Sequence, residues 1–449
     1  MISSLFSYKA VKLFTILLTV SNCFIYLFAY SYSCFMNTTK SWSWDHIRSA
    51  FNFTVLVAAL GYFVDMYDLV LFGIVRIESL TALGITGDEL ATKGVFLLNM
   101  QMIGMLIGGI IWGILGDKKG RLSVLFGSIA LYSVANIANA FVTNVPGYAV
   151  ARFFAGVGLA GELGAAITLV SEILKKESRG YGTTIVASVG IMGSVTAGFV
   201  GGHFSWQWAY IFGGFLGLVL LALRAKMLES GMFKSVQSNM GIKRGDFLSL
   251  FTNRARFLKY MRCILIGLPT WFVVGILIIL SPEFSVLLGV KGTVSAGNSI
   301  MYAYSGLVVG DLLSGFSSQL LKSRKKIILV FLLLTALFVV VYLRSSGMEV
   351  STFYALCFVM GISIGYWAVF VTIASEQFGT NLRATVTTTV PNFVRGAVVL
   401  ITLSFSALKS PFGLVGAAYI VGFATIAIAL TALYFMEETY HKDLDYLEK

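Results

Sequence analysis

The chain has 449 residues, of which 57% are hydrophobic and only 12% charged, and its formal net charge at pH 7 is +12. A soluble protein of this size needs a more polar exterior, so the composition excludes an ordinary soluble enzyme or binding module. The positive charge does not indicate nucleic-acid binding, because the basic residues lie in short clusters between apolar runs, as in the cytoplasmic loops of membrane proteins.

Residues 1–48 precede the main series of apolar runs. Lys9 and Lys12 are followed by an apolar run from Leu13 to Ala29, which resembles the start of a signal peptide. No clear cleavage site follows, and a further span would put the two ends of the chain on opposite sides of the membrane. We interpret this segment as an N-terminal extension and cytoplasmic lead-in. Translation from Met36 remains an alternative, which N-terminal mass spectrometry of the mature protein would test.

Twelve apolar stretches follow, each near the roughly 20 residues that an α-helix needs to cross a bilayer. Their approximate bounds are 50–75, 94–115, 122–142, 147–170, 181–203, 207–228, 258–280, 294–320, 326–343, 352–374, 383–407 and 412–436. A polar linker at 229–256 separates six from six. We predict an all-α membrane protein of twelve transmembrane helices in two pseudo-symmetric six-helix bundles, 49–228 and 257–437, followed by a cytoplasmic tail at 438–449.

Lysine and arginine are concentrated in alternate loops. One set of loops contains the clusters at 118–121, 175–179 and 322–326, whereas the opposite loops contain few basic residues. The positive-inside rule places the first set, and both ends of the twelve-helix core, in the cytoplasm. The short loops favour a bacterial inner membrane, and we expect a monomer.

The two halves share a short repeat, which is how many transporters are built. The loop after the fourth span and the loop after the tenth carry five identities at one constant offset. The matched residues are Ser171, Glu172, Arg179, Thr183 and Thr184 in the first half, and Ser375, Glu376, Arg383, Thr387 and Thr388 in the second.

The loop between spans two and three reads Gly113-Ile-Leu-Gly-Asp117-Lys-Lys-Gly120-Arg121. Glycines allow a tight turn and a close helix approach. The segment resembles the loop signature of the major facilitator superfamily, and the resemblance implies a charge network that gates one access state. The alternative is a solvated loop obeying the positive-inside rule. The second half has only a degenerate counterpart around Gln319, which leaves a second charge clamp in doubt.

The predicted gating residues combine this loop with charged members of the repeat. They are Gly113, Asp117, Gly120, Arg121, Glu172, Arg179, Glu376 and Arg383.

Within the superfamily, the chain resembles the metabolite:proton symporter family. Tyr67-Asp68-Leu69 resembles that family's motif in span one, and the segment Glu376–Thr385 is similar to its motif after span ten. The resemblance implies twelve helices, alternating access and proton coupling, with organic acids, betaines or amino acids as the usual substrates. The Pro-Glu-[Ser/Thr] signature of the neighbouring sugar porters is absent.

Four acids lie within predicted spans, where an ionisable group is costly and usually functional. Asp65 and Asp68 share one helix face, because they are three residues apart. Glu162 in span four and Asp311 in span eight are further candidates for proton coupling. The alternative for Asp68 is a structural hydrogen-bonding role. We expect Asp68 rather than Glu162 to be the partner of Arg152, because ten residues of helix separate Glu162 from Arg152.

Arg395 falls near the middle of span eleven, where a guanidinium needs an acid or an anionic ligand. We predict that it binds a substrate carboxylate near the membrane midplane. The alternative is an ion pair with Asp311 or with an acid of the first bundle. The other predicted substrate-binding residues are Arg152, Tyr62, Trp271 and Tyr366.

The sequence therefore predicts a secondary active transporter that imports a small polar metabolite such as an organic acid, together with protons, by alternating access. A uniporter or symporter for a sugar or polyol is the alternative, and a receptor on a transporter fold is a more distant one. Three histidines and four cysteines without metal-ligand spacing, and the lack of a nucleophile motif, predict neither an enzyme nor a cofactor.

Overall fold

The structure, a computed structural model, describes residues 52–86, 88–224 and 245–448. The N-terminal extension, with its alternative start, lies outside the described residues, as does most of the predicted linker. Within the described ranges, ten helices are long and apolar enough to cross a membrane. One of these contains two spans, and a further helix is long enough but more polar, so that the described ranges hold the twelve predicted helices.

The first six helices are α1 (Phe53–Ala82), α2 (Asp88–Lys119), α3 (Arg121–Asn139), α4 (Val145–Ile173), α5 (Lys176–His203) and α6 (Trp206–Arg224). Some begin at a polar side chain that accepts a backbone N–H of the first turn. Asn52 accepts from Val55 (3.0 Å) before α1, and Asn144 accepts from Gly147 (2.7 Å) before α4. The apolar sequence then continues for the full width of a bilayer.

The last six helices are α7 (Arg254–Ile278), α8 (Ala296–Leu320), α9 (Arg324–Arg344), α10 (Val350–Gln377), and α11 and α12 within Arg383–Tyr434. This last helix has 52 residues, about twice the length that a bilayer requires. It breaks at Gly413, whose φ of 69° lies in the left-handed region that glycine tolerates. We label the part before Gly413 α11 and the part after it α12.

Three helices are interrupted inside the bundle. Helix α4 breaks after Leu159, α7 ends in a π-helical segment from Val273 to Ile278, and α10 breaks after Ser363. The break in α10 allows Gly365 to approach Gly310 of α8 so closely that a side chain at either position would collide with the other helix. The interruptions in α7 and α10 place the side chains beside them in the centre of the molecule.

The first six helices contact the last six mainly through two helix pairs. Helix α2 packs against α11, and α5 packs against α8. A Cβ added to Gly113 of α2 would lie 2.9 Å from the Cα atom of Thr385 in α11, and one added to Gly315 of α8 would collide with the side chain of Thr184 in α5. Glycines at these positions therefore allow the helices of the two halves to pack closely.

Candidate functional site

A small cavity lies between the two halves. Six helices line it: α1, α5, α7, α8, α10 and α11. Its lining residues are Tyr62, Met66, Leu69, Ile191, Thr270, Trp271, Val274, Tyr304, Leu307, Trp367 and Arg395. Aromatic walls around one charged group are typical of a site for a small molecule.

The structure brings together three of the predicted substrate-binding residues, because Tyr62, Trp271 and Arg395 all line the cavity. Tyr366 is fully buried, and its hydroxyl donates to a backbone carbonyl of α7 (3.0 Å). Arg152 lies among the first six helices and does not line the cavity. The lining includes Met66, Thr270 and Trp367 beyond the prediction, because sequence alone does not distinguish an aromatic that lines a cavity from one that packs.

Arg395 is buried, and no carboxylate forms an ion pair with it among the described residues. Its Nη1 donates to the side-chain oxygen of Asn392 (3.2 Å), and its Nη2 lies 4.0 Å from the sulfur of Met66. Its Cζ lies 5.7 Å from the ring centroid of Trp367, and its Nε–H has no partner. Asp311 is not its partner. A buried guanidinium with an unused donor is suited to bind an anion.

Asp65 and Asp68 are fully buried in α1, and their carboxylate oxygens have no hydrogen-bond partner in the described part of the chain. Asp65 interacts electrostatically with Arg395, whereas Asp68 interacts electrostatically with Arg152. Asn136 of α3 lies beside Asp68, although no hydrogen bond of normal geometry joins them. The two acids therefore lie between two buried cations, Arg395 in the cavity wall and Arg152 among the first six helices.

Arg152 donates from Nη2 to the side-chain oxygen of Gln101 in α2. Its Cζ lies 5.0 Å from the ring centroid of Phe72 and 5.9 Å from that of Tyr210. The sequence predicts Asp68 as the partner of Arg152. In the structure Asp68 interacts with Arg152 electrostatically, whereas the hydrogen bond of Arg152 is to the neutral amide of Gln101.

Glu162 pairs with Arg224, which lies near the end of the predicted sixth span. Both side chains are fully buried, and two hydrogen bonds join them, one of them 2.9 Å long between Arg224 Nη1 and Glu162 Oε2. Arg224 also donates to the backbone carbonyl of Leu125 (2.9 Å). No sequence pattern points to this pair, because Arg224 stands at the end of an apolar run, where a basic residue usually reaches into the headgroups.

Asp311 of α8 lies beside the break in α10. Its Oδ1 accepts the backbone N–H of Ala368 (3.0 Å), while its Oδ2 has no partner among the described residues. The carboxylate thus caps the second segment of α10, next to the lining residue Trp367. A carboxylate at a helix N-terminus is favoured by the helix dipole.

At one end of the molecule, Asp117 joins the two halves. Its carboxylate accepts the backbone N–H groups of Ala384 (3.1 Å) and Thr385 (2.8 Å) at the start of α11, and lies 3.4 Å from Nη1 of Arg121. Gly120 has a φ of 103°, which turns the chain sharply between Asp117 and Arg121.

Glu172 extends this network from α4. Its Oε1 accepts from Arg121 (2.8 Å) and from Arg383 of the other half (3.0 Å). All three side chains are buried, so the charges compensate one another away from water. We call the group Asp117, Arg121, Glu172 and Arg383 the first clamp.

The second half has a matching arrangement, which we call the second clamp: Gln319, Arg324, Glu376 and Arg179. Arg324 Nη2 lies 3.2 Å from Glu376 Oε1, and the amide oxygen of Gln319, oriented towards its donors, accepts from Arg324 (3.1 Å) and from the backbone N–H of Gly180 (3.2 Å). Arg179 donates to the carbonyl of Ser171 (3.0 Å), as Arg383 does to that of Ser375 (3.1 Å). The structure thus places an ion pair and an amide at the position of the degenerate motif.

Residues 437–448 pack over both clamps; we call this segment the tail and this end of the molecule the tail end. Thr380 N–H donates to the carbonyl of Tyr446 (2.9 Å), and Arg383 donates to that of Leu444. The side chain of Leu444 is fully buried. Lys259 Nζ lies 2.5 Å from Glu448 Oε1. The tail therefore ties α7, α11 and the loop between α10 and α11 together.

Glu438 attaches the tail to the start of α9. It accepts from the backbone N–H of Arg324 (2.9 Å) and from the hydroxyl of Ser323. Partial burial raises the pKa of Glu438, but the hydrogen bonds from Ser323 and from backbone N–H groups outweigh it, so that the pKa lies below its ordinary value.

Known proteins resemble this chain along most of its length. The family model described as Major Facilitator Superfamily matches residues 58–402. The putative niacin/nicotinamide transporter NiaP of Bacillus subtilis is 27% identical over 386 residues, covering 79% of this chain and 90% of that protein. The 4-hydroxybenzoate transporter PcaK of Pseudomonas putida is 29% identical over 189 residues, covering 41% of each.

The fold has a counterpart among solved structures. The proton:xylose symporter XylE, bound to 6-bromo-6-deoxy-D-glucose, superposes with a TM-score of 0.73 at 17% identity, covering 88% of this chain and 97% of that chain. At this identity the likeness shows the fold alone. Together with the match over residues 58–402, the cavity between the two halves and the paired clamps, it leads to one conclusion: the chain is a multi-pass membrane transporter, not an enzyme, and it belongs to the major facilitator superfamily.

Proposed function

We propose that the protein imports a small organic acid together with protons, by alternating access. The observation that carries the proposal is Arg395: a buried guanidinium in the wall of the cavity, without a carboxylate partner among the described residues. A charged side chain inside a membrane usually faces a cavity or a partner, and Arg395 faces the cavity, where a ligand can compensate its charge. The ligand that does so here is an anion.

The walls of the cavity favour an aromatic acid. Trp367 stands 5.7 Å from the guanidinium carbon of Arg395, and Trp271, Tyr62 and Tyr304 complete an aromatic enclosure. Such rings bind a flat apolar body, while Arg395 holds its carboxylate. Relatives named as transporters of niacin and of 4-hydroxybenzoate are in keeping with this substrate class.

Proton coupling is assigned to Asp68, with Asp65 as the acid nearer to the cavity. Both carboxylates are buried without hydrogen-bond donors in the described part of the chain, which favours a neutral form in at least one step of the cycle. Asp65 interacts with Arg395, so the charge at the substrate site and the charge on the acids influence each other. Glu162 is already neutralised by Arg224 and Asp311 caps a helix, which supports structural roles for these two.

The clamps and the tail are proposed as the gate on the cytoplasmic side. The positive-inside rule puts this end in the cytoplasm of a bacterial inner-membrane protein, with both termini of the twelve-helix core on that side. Substrate and proton favour the change of state only as far as they bind one state more tightly than the other. Nothing in the proposed cycle requires more than one copy of the chain.

The experiment is substrate-induced proton movement. Cells expressing the protein, with a pH probe in the medium, receive niacin, benzoate, 4-hydroxybenzoate, betaine or xylose. We expect the medium to become alkaline with an aromatic acid, and the signal to disappear in Asp68→Asn while exchange of labelled substrate persists. Uptake of xylose without proton movement would instead support the sugar uniporter.

A further inference from the structure

Arg152 has an unusual set of neighbours for a buried cation in a membrane protein. The atom that accepts its hydrogen bond is the side-chain oxygen of Gln101, a neutral amide in α2. Two aromatic faces, those of Phe72 and Tyr210, lie 5.0 and 5.9 Å from its guanidinium carbon. Gln101 and Arg152 are both fully buried. Among the described residues, no carboxylate forms an ion pair with Arg152, although Asp68 is close enough to interact electrostatically.

Several charged or titratable groups face Asp68 from the helices around it. They are Asp65 and Tyr67 of α1, Tyr132 of α3, Arg152 and Tyr148 of α4, and Tyr210 of α6. Arg152 is the cation of this group. Whatever stabilises Arg152 independently of Asp68 therefore determines how readily Asp68 accepts a proton.

We propose that Gln101, together with the rings of Phe72 and Tyr210, forms a neutral cradle that holds Arg152 charged and in place when Asp68 becomes protonated. Gln101 is then a positioning residue for proton coupling. This inference rests on the coupling role proposed for Asp68.

The physical reason is the cost of a buried charge. If Asp68 were the sole partner of Arg152, protonating it would leave a bare guanidinium in a medium of low dielectric constant, and protonation would occur only at low pH. An amide oxygen and two ring faces partly compensate the guanidinium in both protonation states of Asp68, although Nε and Nη1 of Arg152 have no hydrogen-bond partner among the described residues. The cradle thus separates the stability of Arg152 from the protonation of Asp68.

Two substitutions at Gln101 have opposite predicted effects. Gln101→Met removes the neutral acceptor, so that Arg152 depends on ionised Asp68. The midpoint at which uptake declines with rising external pH should move to lower pH, by about one unit. Gln101→Glu gives Arg152 a second carboxylate and places a like charge near Asp68, so the midpoint should move to higher pH by a similar amount. Phe72→Leu, which removes one ring face, should shift it as Gln101→Met does, by less.

The measurement is the pH profile of labelled substrate uptake, normalised to the amount of protein in the membrane, for each variant with Asp68 intact. In the Asp68→Asn background the pH profile of labelled substrate exchange is measured instead, because exchange is expected to persist there. Opposite shifts that vanish in the Asp68→Asn background support the cradle. A uniform loss of rate with an unmoved midpoint in all three variants overturns it. If Asp68→Asn leaves proton movement intact, the coupling role of Asp68 fails, and the cradle falls with it for that separate reason.

Discussion

Arg395 is a buried cation that forms no ion pair with a carboxylate among the described residues. Its charge is buried, its Nε–H is unused, and its nearest interactions are with an amide oxygen, a sulfur and a ring face. Each of these is weaker than a bond to a carboxylate. The proposed preference of the cavity for an anion therefore rests on one side chain.

Substituting this residue should weaken binding of a carboxylate substrate selectively. A hydrogen bond to a charged group contributes about 1.5–3 kcal/mol, so Arg395→Ala should raise the Kd for niacin or 4-hydroxybenzoate roughly 10- to 150-fold. Arg395→Lys should restore part of the affinity, because it keeps the charge but not the planar fork. Calorimetry on the purified protein measures this, with the uncharged amide of the same ring as control. Equal losses for acid and amide would contradict the anion role.

At the residue level, the sequence was informative about which charges are buried but not about their partners. Asp65, Asp68, Arg152 and Arg395 all stand in predicted spans and are buried as expected. The pair of Glu162 with Arg224 was not predictable, because it joins helices that are distant in sequence. The pairing depends on which faces of α4 and α6 pack together. A helix that is apolar on all sides has no sequence periodicity from which its packed face could be predicted.

At the level of helices, the clamps work by capping. Asp117 of α2 accepts the first N–H groups of α11, whereas Gln319 of α8 occupies the matching place at the start of α5. Asp117 satisfies backbone donors that the start of α11 leaves free, whereas Gln319 reaches the N–H of Gly180, one turn into α5. Each cap also belongs to the opposite half of the molecule, so that separating the halves at this end exposes both helix starts.

The charge on Asp117 should therefore hold the tail end closed. Asp117→Asn replaces a charge-assisted cap by a neutral one at a cost of about 1–2 kcal/mol, and should populate the state open at this end roughly 5- to 30-fold more. A cysteine placed at Ser375, whose hydroxyl lies 3.4 Å from that of Ser171 across the interface, reports the opening through its rate of labelling by a thiol reagent in a background without native cysteines.

The matched control for this experiment is Gln319→Leu at the second clamp. It removes a neutral cap, so the same cysteine should be labelled faster than in the parent protein but slower than in Asp117→Asn. Unchanged labelling in Asp117→Asn would show that the first clamp forms when the tail end closes but does not stabilise the closed state.

The positions of the helices were largely predictable, but their interruptions were not. Apolar length alone locates the twelve spans, because a bilayer imposes that length. The breaks in α4, α7 and α10 depend on close contacts such as that of Gly365 with Gly310, which form only in the assembled bundle. These breaks matter for the site, since they position Trp271 and Trp367.

For the molecule as a whole, the tail connects several helices of the second half at the tail end. Sequence analysis treats it as a polar end beyond the last span. Its docking involves backbone carbonyls and a buried Leu444, and neither leaves a recognisable pattern. The structure thus adds contacts at the tail end that the loop motif does not predict.

Acid should release the tail. Glu438 has a lowered pKa in the folded protein, so its contribution to docking is complete above the ordinary glutamate pKa of about 4.3 and is lost as the pH falls through the lower folded value. Hydrogen exchange of residues 437–448 should therefore stay slow down to mildly acidic pH and accelerate below that range. Glu438→Gln should exchange faster already at neutral pH and respond less to acid, whereas Glu437→Gln should behave as the parent protein does. Similar behaviour of the two variants would argue against Glu438 as the attachment point.

The two clamps differ in the chemistry of their caps, and this difference affects the path by which the substrate leaves. The α2–α11 seam is closed by a carboxylate, while the α5–α8 seam is closed by an amide, which holds its partners less strongly. We expect the weaker contact, between α5 and α8, to open before the contact between α2 and α11. We therefore expect the substrate to exit along α5 and α8, past Gly315 and Thr184, and bulky side chains there should slow release more than equal changes along α2.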